Sequence, residues 1–419
     1  TGLLGHGEWQ VRLPAWLANG IFLILLFAFA RDLWGSRRAG WWAAGLGLLT
    51  PFYFGLGQVM TTDIWLFTFW TWGLWAAWRA VIRQQAKAWY ELGAAVGLGA
   101  LTKASILLLP GFMGLVLLAT AWGRRALWQR QPWLGLGLAL LLMTPVIYWN
   151  ATHNWVMFRH EQGHVGEVTG FNGNPLEFLA GQWLLLSPLV APLMVWRLYR
   201  PPRDRSRGLV WWVSVLVLTF FVYKSFTDKV QINWSAPAYI GLVVLFAGHI
   251  PQLGHRAWRW LQGGLALSGV LLVLLLFPQL FRLPMEPFKD LHGWRQPVRG
   301  VAAQLAHREV GFILTDTYHT AAEIAFYWPQ RIAVYITGSS ERRFNQHDLW
   351  PGIEREAGRD GLYISRRQSL PPLVDRAFAH CRPLAPVEGR AHYGRSLRTL
   401  YPYLCRDYRP IDWPRPRGY

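Results

Sequence analysis

The chain has 419 residues, 53% of them hydrophobic and only 16% charged, with 27 tryptophans and a formal net charge of +19. Several apolar runs approach the roughly 20 residues a helix needs to cross about 30 Å of hydrocarbon, which makes this a polytopic α-helical membrane protein with a soluble tail. The positive charge does not call for nucleic acid as a partner, because no nucleic-acid-binding motif accompanies it.

In chain order, residues 1–12, TGLLGHGEWQVR, carry no initiator methionine and read as the end of an external loop. At least one helix and its loop are therefore expected to precede them. Ten apolar segments follow, at 13–33, 41–58, 63–79, 89–102, 105–122, 132–148, 178–196, 209–224, 235–250 and 261–280. The fourth is short enough to be a re-entrant or buried half-helix. Residues 1–281 thus form a transmembrane domain and 282–419 a separate tail. Within the tail, VGFILT (310–315), RIAVYI (331–336) and GLYIS (361–365) read as short buried strands. They alternate with helix-like stretches at 294–308, 319–328 and 371–379, the pattern of a small α/β domain. Cys381 and Cys405, the only cysteines, both lie there and can pair in an oxidising compartment or stay as buried thiols.

Lysine and arginine accumulate in cytoplasmic loops. One alternating set of connections holds sixteen of them, the opposite set only Arg12, Lys103, Arg159, Lys224 and Lys229. The expected orientation therefore puts the amino terminus, the Thr61-Thr62-Asp63 seam, the 149–177 loop and the tail outside the cytoplasm. Polar residues gather on that face: His6, Glu8 and Arg12; Thr61, Thr62 and Asp63; Thr102 and Lys103; His153, Arg159, His160, Glu161, His164 and Glu167; then Lys224, Asp228, Lys229, Asn233 and Trp234. Ionisable groups near bilayer depth are costly, so such a cluster suggests a site. Both signs are present, as a phosphate leaving group and a hydroxyl to be activated require.

GEWQVRLPAWL, QVMTTDIWLFTFW and GLGALTKASILLLPG, in this order and spacing, resemble the polyprenyl-phosphate-sugar-dependent glycosyltransferases of family 39. WNATHNWVMFRHEQGHVG, NPLEFLAGQ and KVQINWSAPAYI resemble a bacterial branch of that group. The group includes protein O-mannosyltransferases, with lipid A aminoarabinose transferases as relatives on the same GT-C fold. The resemblance covers most of residues 5–250. It implies a bacterial inner-membrane enzyme whose active site and tail face the periplasm. The implied partners are a polyprenyl-phosphate-linked sugar donor, a lipid, glycan or protein acceptor of the cell envelope, and membrane lipids; the anomeric centre would be inverted. In such enzymes a principal catalytic acid lies in the first external loop, ahead of this sequence, and Glu8 stands at that loop's end as a catalytic candidate. Asp63 matches the second acidic position, where it would orient the acceptor, the sugar or a divalent cation.

Each assignment has a plainer alternative. Asp63 can serve as a helix N-cap with Thr61 or Thr62 assisting. Lys103, a lysine without a sequence-local acid, can hold the donor phosphate or snorkel to the interface. Arg12 can clamp phosphate or pair with Glu8 across an interfacial salt bridge. Arg159, His160, His164 and Lys229 complete the substrate-binding candidates. His160-Glu161-Gln162-Gly163-His164 spells the zinc-protease motif H-E-x-x-H, but Gly163 and Gly166 weaken the helix that motif needs. A lipid-linked sugar transporter and a non-catalytic glycolipid-binding relative remain as other function classes.

Overall fold

The computed structural model describes residues 5–159, 173–277, 281, 292–305, 308–339, 345–350, 352–390 and 396–415. These fall into two compact units, the first of residues up to Phe158 and from 173 to Leu274, the second of Arg159 and the residues from Leu275 onward.

The first unit is helical. Its long opening helix α1, Glu8–Trp34, stops at Gly35, which takes φ 59° so that its N–H can bond the Arg31 carbonyl. Helix α2, Arg37–Leu49, starts under the side chain of Ser36, which accepts from the Ala39 N–H. Thr50 ends it by bonding its hydroxyl to the Leu46 carbonyl, and Pro51 begins α3, Pro51–Gly57. Helix α4, Thr62–Val81, buries most of its length, including Trp70 and Trp78. After it come α5, Ala86–Ala100, and α6, Leu108–Ala119, which bends by 118° at Thr120 into α7, Ala121–Leu127. Helix α8, Gln131–Thr152, packs directly on α5: a Cβ at Gly93 would lie 2.1 Å from the Gly135 carbonyl oxygen, so only glycine permits the approach. Helices α9, Pro175–Leu186, and α10, Val190–Leu198, meet at 103°. Between them Ser187 takes φ 115°, and Pro188 after it disfavours a continuation of helical backbone through that residue. The unit ends with α11, Arg205–Thr227, α12, Ala236–His249, and α13, His255–Leu276.

Among the described residues five helical spans are long and apolar enough to cross a membrane, or seven if each bent pair is one span. All ten expected segments are helical over most of their described residues, but not all are spans. The segment 41–58 is broken at Thr50-Pro51, and the 15 residues of α5 extend only about 22 Å at 1.5 Å per residue. Helix α5 is the half-length, largely buried helix that its short apolar run suggests.

Four contacts set the helix directions. Thr68 Oγ1 donates to the Ala18 carbonyl at 3.0 Å, and Phe29 meets Trp78 at 6.3 Å, so α1 and α4 run parallel. Trp78 Nε1 donates to Ser206 Oγ at 2.8 Å, which places the start of α11 against the end of α4 and makes the two antiparallel. Arg79 near the end of α4 pairs with Glu91 in the first half of α5, so α5 runs back along α4; the starts of α1 and α4 and the ends of α5 and α11 share one end of the unit, called here the Asp63 end.

The second unit is α/β. Strands β1, Phe312–Thr315, β2, Ala333–Ile336, and β3, Gly361–Ser365, are parallel, and they are the three strands legible in the sequence. Three further strands extend the sheet: β4, Phe378–Pro383, β5, Val387–Arg390, and the long β6, Ser396–Tyr408, in the order β2-β1-β3-β6-β4 with β5 on another part of β6. They escape a hydrophobic reading because β4 and β5 are half-exposed. On β6 an inward position is held by Arg398, whose guanidinium lies 4.0 Å over the Trp294 ring and bonds the His292 carbonyl at 2.6 Å. The expected helices are present as α14, Arg295–Ala303, α15, Tyr318–Tyr327, and α16, Pro372–Arg376. Cys381 and Cys405 face each other in the β4–β6 register and form a disulfide, with Cα atoms 4.1 Å apart.

Candidate active site

The seam residue Asp63 does not cap its helix. Thr61 is the N-cap of α4 and makes no side-chain capping bond, while Asp63 lies one residue inside the helix. Its carboxylate instead accepts a hydrogen bond from Lys103 Nζ at 2.8 Å, across 40 residues of sequence. Lys103 stands where α5 unwinds: Thr102 Oγ1 donates to the Gly99 carbonyl at 2.7 Å, the Lys103 N–H reaches the same carbonyl at 3.0 Å, and a short 3-10 turn, Ala104–Leu107, follows. The lysine that lacks an acid in sequence therefore has one in space. The pair sits at the edge of the packed interior, with 11% of the aspartate side chain and 29% of the lysine side chain exposed. The amino end of α4 adds a favourable partial positive charge near the carboxylate. An ammonium carries three donors, so after Asp63 Oδ1 takes one, two remain for a ligand.

The α1–α4 contact sets the depths of the other candidates. At 1.5 Å per residue, Asp63 lies about 7.5 Å beyond Thr68 and Arg12 about 9 Å beyond its partner Ala18, so the two are level. Glu8 lies about 15 Å beyond Ala18, roughly 7 Å further out than Asp63. Arg12 is half-buried and Glu8 exposed.

The end of α11 contributes a second pair, Lys224 with Asp228, one turn apart and both largely covered. Burial disfavours the charged form of Asp228, but the Lys224 and Thr227 hydrogen bonds outweigh it and hold this carboxyl below its usual range. Lys229 is exposed and has no ion pair among the described residues. Arg159 is exposed as well. His160 and His164, with Glu161 and Glu167, lie outside the described residues. His153 does a local job: its Nδ1 is 2.8 Å from the Trp149 carbonyl and its ring stacks on Trp149 at 4.3 Å, closing α8.

Among the described residues no group of three His, Cys, Asp or Glu is arranged to hold a metal, and the Asp63 Oδ1 faces the Lys103 ammonium.

Sequence reasoning missed the network that holds this end together. Gln182 on α9 accepts from Ser235 Oγ at 2.7 Å and from the Tyr239 hydroxyl at 2.9 Å, and donates to the Phe178 carbonyl at 3.1 Å. Asn174 Oδ1 accepts from the Val230 N–H at 3.1 Å, and the Tyr53 hydroxyl donates to the Ala236 carbonyl at 2.9 Å. These bonds tie NPLEFLAGQ to KVQINWSAPAY, the two stretches singled out by resemblance. The remaining signal was a glutamine inside an apolar run, which in a membrane demands a partner.

Residues 1–149 match the family model described as dolichyl-phosphate-mannose-protein mannosyltransferase. The lipid A galacturonosyltransferase RgtD of Rhizobium johnstonii is 26% identical over 338 residues, which cover 75% of this chain and 68% of that protein. The undecaprenyl phosphate-alpha-4-amino-4-deoxy-L-arabinose arabinosyl transferase of Erwinia tasmaniensis is 26% identical over 61% of this chain and 49% of its own length. Its counterpart in Pectobacterium carotovorum is 24% identical over 64% and 51%. The chain thus spans about half the length of the arabinosyl transferases it matches. The crystal structure of ArnT from Cupriavidus metallidurans bound to undecaprenyl phosphate superposes with a TM-score of 0.65 at 18% identity, over 96% of this chain and 85% of that one. Its apo state gives 0.60 at 17% identity. Helical architecture, family match and relatives agree: the chain has the GT-C fold, and residues 1–149 are similar to the membrane glycosyltransferases of the matched model.

Proposed function

We propose that this protein transfers a sugar from a polyprenyl-phosphate carrier to a lipid acceptor of the cell envelope, inverting the anomeric centre, with the Asp63 end and the tail on the periplasmic side of the bacterial inner membrane. The observation that carries the reading is the Asp63–Lys103 ion pair, held at the mouth of the helical unit with Arg12 level beside it. Asp63 fixes the Lys103 ammonium, whose two uncommitted donors and the Arg12 guanidinium take the donor phosphate. As the acceptor oxygen bonds to the anomeric carbon, the carbon–oxygen bond to phosphate breaks, and these cations stabilise the charge that develops there. The hydroxyl proton passes to a carboxylate, a role for which Glu8, further out on α1, is the candidate among the described residues. Arg159 and Lys229, exposed cations, and His160 and His164 complete the proposed substrate-binding set. The excess of arginine and lysine in the alternate connections supports the orientation.

The test is reconstitution of the full chain in bilayers with undecaprenyl-phosphate-linked aminoarabinose or galacturonic acid and a lipid A acceptor. The product is an acceptor heavier by one sugar residue, with the anomeric configuration opposite to the donor's. Donor binding should weaken by about tenfold in Lys103→Gln, the scale of one charge-assisted contact to phosphate. Unchanged donor affinity in Lys103→Gln and Arg12→Gln, together with no transfer by the parent protein, would dismiss the reading.

A further inference from the structure

The far end of the same helices carries a second charged site. Where α1 turns into α2 and α4 into α5, a cavity of about 500 Å³ is walled by Arg31, Asp32, Arg37, Trp78, Arg79 and Arg83. That volume falls in the ~300–1,000 Å³ range of small-ligand sites. Two of the four arginines are committed: Arg31 to Asp32 at 2.8 Å, and Arg79 to Glu91 with its guanidinium 4.1 Å over Trp75. Arg37 and Arg83 have no carboxylate partner among the described residues. Arg83 lies 5.2 Å over the Trp78 ring and reaches only the Asp32 carbonyl, at 3.5 Å.

The backbone reinforces the sign. Helices α2 and α5 both begin at this end, so their free N–H groups and dipoles favour an anion. Helices α1 and α4 end here, but carbonyls of their last turns are already engaged: that of Arg31 by the Ser36 N–H at 3.1 Å, that of Arg79 by the Arg83 N–H at 3.1 Å. Two unpaired guanidinium forks beside these helix starts suit the oxygens of a phosphate.

The surface beside the cavity says what carries the phosphate. Arg37, Trp41 and Leu48 lie on one face of α2, at the i, i+4 and i+11 positions. Trp41 is 65% exposed and Leu48 42%, so an apolar strip runs from the basic mouth along the helix. A soluble phosphate has no use for that strip; acyl chains do.

We propose that this cavity binds the phosphate of an anionic glycerophospholipid whose chains lie along Trp41 and Leu48. It lies at the opposite end of α4 from the sugar-transfer site and does not depend on that activity.

The experiment is native mass spectrometry of the full chain released from bilayers of phosphatidylethanolamine with phosphatidylglycerol. The parent protein should retain phosphatidylglycerol preferentially. Retention should fall about thirtyfold in Arg37→Gln/Arg83→Gln, as expected for two interfacial cations. The control Arg124→Gln/Arg125→Gln, of equal charge change on α7, should retain lipid like the parent. If the double variant does not insert, Arg37→Gln alone should show a drop of about fivefold. Equal retention in parent and variant overturns the proposal, as does an equal loss in the α7 control, which would reduce the effect to general surface charge. Soluble probes separate the source of phosphate: saturable binding of inorganic phosphate or glycerol phosphate without lipid retention would also overturn it.

Discussion

Separating what Asp63 does for the fold from what it does for transfer requires Asp63→Asn, Lys103→Met and the two together. At 2.8 Å the gross attraction of the pair is about 6 kcal/mol with an effective dielectric near 20. Desolvation and water around the 29%-exposed lysine offset most of it, leaving a coupling of about 1.5–2 kcal/mol in a double-mutant cycle. The two single variants should differ. Lys103→Met strands a carboxylate whose side chain is only 11% exposed, for a loss of about 2–3 kcal/mol. Asp63→Asn strands a lysine that can snorkel to water, for about 1 kcal/mol. Unfolding of the reconstituted protein gives the stabilities, and transfer measured well below the unfolding range gives the activities. The double variant should recover stability relative to Lys103→Met. Its transfer should stay depressed by roughly 10²-fold, the scale of a positioned electrostatic group. If the double variant regains transfer along with stability, the pair is a structural brace and the site lies elsewhere. Asp63→Asn with full transfer would sink the catalytic assignment outright.

The disulfide and the topology give two further tests. Closing Cys381 to Cys405 over 24 residues restricts the unfolded tail by about 3.5 kcal/mol in the loop-entropy model, so Cys381→Ala/Cys405→Ala should make the tail markedly more sensitive to limited proteolysis; equal digestion rates would remove the bond from the account of stability. An alkaline phosphatase reporter, active only outside the cytoplasm, should be active when fused after Phe281, and activity of a cytoplasm-only reporter at that point would invert the orientation.

The helical class and the boundaries of most helices were legible in the sequence, because membrane spans are written in long apolar runs and because arginine-rich connections punctuate them. Thr61-Thr62-Asp63 and Lys103 could likewise be singled out as polar residues where hydrocarbon should make them expensive. The three parallel strands of the tail were legible for the same reason, each being a continuous buried run. What the sequence could not contain was partnership. Asp63 could be read as a site carboxylate or a cap and Lys103 as a phosphate-holding or snorkelling cation, since nothing local joins positions 40 apart; only the antiparallel return of α5 along α4 brings them within 2.8 Å. Nor could hydropathy show that Trp-rich α4 is central rather than lipid-facing, or that Gln182 binds Ser235 and Tyr239, because burial and hydrogen-bond geometry belong to packed helices and not to a single one. In the tail, β4 and β5 stayed hidden because half-exposed strands take their order from pairing with β6, an interaction between distant segments that no local pattern records.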